Sequence, residues 1–92
     1  MLTYERFSTA PVKVRTLYVK KLLNTLDYNL EETFTEDKCY KKALKKFQSN
    51  NGFNENCVVS KDVFTCLISQ VKEHEMIWKN MKWGEISDQR FL

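Results

Sequence analysis

The sequence predicts an all-α fold, a three-helix bundle with an extended C-terminal helix and a short tail. Gly and Pro together supply only three of the 92 residues (2 and 1), too few for many short strands and their turns. Apolar residues recur at steps of three and four in three separate stretches, which is the spacing of one helix face. Recognisable start and stop residues separate those stretches. The chain is 42% apolar and 13% aromatic, the composition of a folded domain, and its length suits one domain.

Residues 1–11 show no period and end at Pro11, and they read as an N-terminal arm. From there Val12, Thr16, Val19, Leu23 and Leu26 form a stripe, with Leu22 beside it. Lys13, Arg15, Lys20 and Lys21 fall mostly off that stripe. Asp27-Tyr28-Asn29 breaks the pattern and opens an acidic loop with Glu31, Glu32 and Glu36. Thr35 is the expected N-cap of the second helix, with Glu36 and Asp37 suiting its positive end. Tyr40, Ala43, Leu44 and Phe47 share one face of that helix, and Lys38, Lys41, Lys42, Lys45 and Lys46 occupy the others. Asn50-Asn51-Gly52 is a stop, because both residue types tolerate a left-handed backbone. Val58 and Val59 are able to pair as a brief strand. Ser60 caps a third helix whose stripe runs Phe64, Leu67, Val71, His74, Trp78 and Met81. Gly84 is expected to end it, after roughly 33 Å at about 1.5 Å per residue. Residues 72–92 are thus a helical extension and tail.

These residues carry a resemblance. Val19, Leu23, Leu26 and Tyr28, then Ala43-Leu44, Phe47-Gln48, Gly52-Phe53, Asn56-Cys57, Val59-Ser60 and Leu67, follow the order and spacing of the peptidoglycan-binding-like domain. The resemblance covers residues 12–71. It departs from the pattern where Asp27, Cys57 and Ser60 stand in place of glycines and Lys20 in place of Gln, and the acidic loop is longer by about two residues. It implies a three-helix core of that type and a non-catalytic module that binds peptidoglycan or another cell-wall polymer. The ligand groove is expected near Tyr28, Gln48, Asn50, Asn51 and Phe53. Much of the motif also makes sense as packing: Ala43 permits close helix approach, Phe47 fills the space between helices, and the Gln48 amide can tie a loop backbone.

No nucleophile–base–orienter set is visible, and the expectation is that the chain is not an enzyme. His74 sits on an apolar stripe, and Glu31-Glu32 reads as a solvated turn rather than a glycosidase pair. Cys39, Cys57 and Cys66 are odd in number and widely spaced; with His74 they form a nominal zinc set, but no two lie at the short spacings of common zinc motifs. No metal or cofactor is expected. The net charge of +3 is mild, so nucleic acid is disfavoured as a partner. The lysines of the second helix suit an anionic polymer or a solvated face. No apolar run is long enough to span a bilayer, and no signal peptide is expected.

The extension carries Met76, Ile77, Trp78, Met81, Trp83, Phe91 and Leu92, more large apolar groups than a small domain easily covers. The alternative function is therefore a structural or adaptor protein of a phage particle or secretion-type assembly, docking on protein partners through Trp78, Met81, Trp83 and Phe91.

Overall fold

The computed structural model describes the backbone of residues 2–87 and the side chains of residues 2–75. It is an all-α globule of four helices, α1 (Tyr4–Thr9), α2 (Val12–Thr25), α3 (Lys38–Asn50) and α4 (Lys61–Ser87). Among the described residues there is no strand, and Val58 and Val59 run as coil.

The expected arm is a helix. Thr3 caps it, its hydroxyl accepting from the Arg6 amide at 3.3 Å, and Glu5 sits in the first turn. Pro11, which has no amide hydrogen, ends the run and starts α2 directly, with Arg15 N donating to Pro11 O at 3.0 Å. The reason for the helix lies in tertiary packing. Phe7 is buried, and its ring centroid lies 4.7 Å from that of Phe64 in α4. Tyr4 and Tyr18 complete an aromatic quartet, at 5.7 and 6.4 Å from Phe64. The bundle therefore has four helices rather than three, and α1 belongs to its core.

In α2, Thr16, Val19, Lys20, Leu22 and Leu23 are buried. Val12, expected on the buried stripe, is 55% exposed. Lys20, expected off it, is fully buried: its Nζ donates to Thr33 Oγ1 at 2.8 Å and to Asp37 Oδ2 at 3.1 Å, and lies 5.8 Å from the Tyr40 ring centroid. A charge is taken out of water here only because a carboxylate, a hydroxyl and a π-face meet it.

Asp37, not Thr35, is the N-cap of α3. Its Oδ1 accepts from Tyr40 N at 2.8 Å while its Oδ2 receives Lys20. Thr35 loses that place because only a carboxylate answers both the helix amides and the buried ammonium. Tyr40, Ala43, Leu44, Phe47 and Gln48 face the core from α3. Ser60 caps α4 as expected, its Oγ accepting from Val63 N at 3.3 Å. Val63, Phe64, Leu67 and Val71 are buried there. His74 is exposed, because Val71 is the last buried residue among those described. The helix does not stop at Gly84 but continues to Ser87; a glycine inside a helix costs only about 1 kcal/mol.

α2 and α3 end in the same way. After α2, Asp27 N donates to Asn24 O (3.0 Å) and Tyr28 N to Leu23 O (3.2 Å), with Asp27 at φ 68°. After α3, Gly52 N donates to Ser49 O (3.2 Å) and Phe53 N to Gln48 O (2.8 Å), with Gly52 at φ 79°. Both are Schellman closures, and in both the residue after the left-handed position is an aromatic packed on the core.

Candidate functional site

The two closures lie at one end of the bundle. α4 touches both within one turn: Gln70 Nε2 donates to Asn51 Oδ1, and His74 Nε2 lies 3.9 Å from Asp27 Oδ2. Tyr28, Asn50, Asn51 and Phe53 are thereby gathered around residues 70–74. Each has a distinct state. Asn50 is exposed. Asn51 is half-buried, its Nδ2 donating to Phe47 O at 2.8 Å and its Oδ1 taken by Gln70, so it braces α3 against α4. Tyr28 and Phe53 are half-buried, each with one side against the core.

Gln48 is different. It is fully buried and presents no side-chain atom to a ligand. Its Nε2 donates to Asn56 Oδ1 (3.1 Å) and Val58 O (3.0 Å), and its Oε1 accepts from Cys57 N (3.1 Å). The place given to it in the ligand groove is corrected to a supporting one: every hydrogen of its amide is used to fix residues 56–58. Cys57 needs that support, since its φ is 59°. A non-glycine residue in this conformation is disfavoured by about 1–2 kcal/mol.

An amide plays a parallel part after α2. Asn24 Nδ2 donates to Leu30 O at 2.8 Å and to Glu32 Oε2 at 3.1 Å, and its Oδ1 accepts from Leu30 N at 2.6 Å. Lys21 adds an ion pair to Glu32 at 2.9 Å. Hydrogen bonds from Lys21 and then Asn24 hold the Glu32 carboxyl below its ordinary range. Asp37 is held low as well, first by the Tyr40 amide and then by Lys20. The acidic loop is therefore tied down by charges, while residues 56–58 are tied by a neutral amide.

Lys38, Lys41, Lys42, Lys45 and Lys46 are all exposed and form no ion pair among the described residues. Cys39, Cys57 and Cys66 are free thiols. Among the described residues no three His, Cys, Asp or Glu side chains converge as metal ligands, and no helix is long and apolar enough to cross a membrane. The backbone at Trp78, Met81 and Trp83 is helical, but their side chains lie outside those described, and Phe91 lies outside the described residues altogether.

Two features escaped the sequence reading. The buried Lys20 clasp was signalled by its position, since residue 20 falls between Thr16, Val19 and Leu23 on the helix surface. Arg15, whose Nε is buried without an acceptor, gave no sequence signal, because its surroundings are tertiary. No family model, curated protein or solved structure matches the chain.

Proposed function

We propose that the chain is a non-catalytic binding module of the peptidoglycan-binding-like type, holding a cell-wall polymer at the end of the bundle where α2 and α3 close. The surface consists of Tyr28, Asn50, Asn51 and Phe53, with Asn51 bracing it against α4. The observation that carries this reading is the left-handed backbone at Asp27 and Cys57. These are positions at which the family pattern has glycine, so the backbone keeps a conformation that the residue types no longer favour. Glycan recognition of this kind combines aromatic faces with side-chain amides, and both are present at this end of the bundle.

The test is retention of the purified chain on cell-wall sacculi at low salt. Retention is expected, with a loss of at least tenfold in Phe53→Ala and Asn50→Ala, a change of about 1.4 kcal/mol or more. Absence of retention defeats the wall-binding reading.

The second reading, a structural or adaptor component of a phage particle or secretion-type assembly, is favoured by α4. It stays helical to Ser87, well past Val71, and the sequence of that stretch is rich in Trp and Met. Light scattering coupled to size exclusion separates the two readings. A self-associated or partner-bound species that reverts to monomer on Trp78→Glu supports docking, and a wild-type chain that stays monomeric and captures no partner excludes it.

A further inference from the structure

A cleft of about 270 Å³ opens between α2, Tyr40 of α3 and the coil at 57–59, apart from the surface formed by Tyr28, Asn50, Asn51 and Phe53. Its lining divides by chemistry. Val12 and Val58, 55% and 57% exposed, are two of the large apolar side chains left open to solvent, and both line it. Arg15 and Glu36 bring opposite charges to the same space without forming an ion pair. Arg15 Nε is buried and finds no acceptor. Glu36 Oε2 accepts only a long hydrogen bond, 3.4 Å from Thr16 Oγ1. Tyr40 also lines the cleft, and its hydroxyl makes no hydrogen bond to a described residue.

A buried guanidinium Nε–H with no acceptor is a costly arrangement, and opposite charges lining one cleft would ordinarily close on each other. Here Arg15 and Glu36 stay apart. Arg15 rides on α2, Glu36 directly precedes the Asp37 cap that Lys20 holds, and the 57–59 wall is pinned by Gln48. The cleft thus sets Arg15, whose Nε lacks an acceptor, and the exposed Glu36 carboxylate around apolar walls from Val12 and Val58.

We propose that this cleft binds an α-amino-acid unit with a free carboxylate and a small branched apolar side chain. The carboxylate meets Arg15 and the Tyr40 hydroxyl, the nitrogen one carbon away donates to Glu36, and the side chain lies against Val12 and Val58. Arg is suited to this because its planar fork matches a carboxylate. Burial pushes the Tyr40 hydroxyl up to about 12, so it remains a donor across the physiological range. The cleft is smaller than a drug-sized pocket, which fits one residue rather than a long segment. That unit has two sources, a free amino acid and the carboxyl end of a peptide, which differ only in whether the nitrogen is an ammonium or an amide.

The experiment is an NMR titration of the isotopically labelled full chain with three probes: valine, N-acetyl-valine and N-acetyl-valinamide. Saturable shifts confined to Arg15, Tyr40 and Val58 are expected with at least one of the two acids, at millimolar affinity. The amide probe, which lacks the carboxylate, should bind at least tenfold more weakly. Arg15→Gln should weaken the acid at least tenfold, and Tyr40→Phe, which keeps the ring in place, several-fold. Preference for N-acetyl-valine assigns the site to a peptide end; preference for valine, lost in Glu36→Gln, assigns it to a free amino acid. The proposal is overturned if neither acid gives saturable shifts, if acid and amide bind alike, or if Arg15→Gln, with its remaining spectrum unchanged, binds as the parent does.

Discussion

α2 and α3 close with the same pair of hydrogen bonds and the same left-handed turn, yet one places Asp27 at the turn and the other Gly52. The geometry therefore does not originate in the residue that adopts it. It originates one position later, because Tyr28 and Phe53 must each dock an aromatic ring on the core immediately after the helix ends. Glycine makes the turn freely. Aspartate makes it at a cost, and places a carboxylate 3.9 Å from His74 of α4 that glycine could not supply. The loops beyond the two turns differ in the same spirit. After α3 a buried neutral amide, Gln48, takes hold of residues 56–58; after α2 a half-buried amide, Asn24, and a set of charged groups hold residues 30–37.

The strongest way to break this parallel is Gln48→Leu. The shape is nearly kept, but Cys57 N and Val58 O lose their partners, and a loss of about 3 kcal/mol is expected in urea unfolding. Asn24→Ala removes the equivalent hold after α2, where water can replace part of it, and about 1.5 kcal/mol should be lost in the same measurement. If the two losses come out equal, burial is not what separates the loops. At the turns themselves the signs should oppose. Gly52→Ala is expected to destabilise by about 1 kcal/mol, wholly through the backbone, since an added Cβ meets nothing within 4 Å. Asp27→Gly should stabilise by about 0.5 kcal/mol, visible as a small rise in Tm.

The smallest effect is one of pH, and it sharpens the contrast between the loops. Asp37 and Glu32 have folded-state pKa values below their unfolded ones. Their stabilisation is therefore complete above the unfolded values, near pH 4, and fades as pH falls through the folded ones. The Tyr40 amide resonance, hydrogen-bonded to Asp37, should move over that acid range. The Cys57 amide, held by Gln48, should stay still, because a carboxamide does not titrate there.

The helical class could be read in the chain because α3 and α4 bury residues at regular steps and carry plain boundaries at Gly52 and Ser60. α1 could not, since only Phe7 is buried in its six residues and one position defines no period. Lys20 was hidden by its charge: the stripe through Thr16, Val19 and Leu23 already pointed at it, but a lysine on that face reads as solvated until Asp37 and Thr33 are seen around it. Thr35 and Asp37 are both good caps two residues apart, and the choice between them depended on that same buried ammonium. At the candidate surface, the aromatics after each helix stop were legible from local pattern. The burial of Gln48 and the orphaned Nε of Arg15 were not, because each depends on residues distant in sequence.

The aromatic quartet around Phe64 has a consequence for how the chain is made. A ribosome delivers α1 before α2, α3 and α4, yet a helix of that length does not hold itself in water. Phe7 and Tyr4 then have only Tyr18 of α2 for an aromatic neighbour while α3 emerges, and they gain Phe64 only with the synthesis of α4. Of these four helices, the one made earliest is thus among the last to dock. A nascent chain halted just short of Phe64 should be a far better chaperone client than one halted just past Val71.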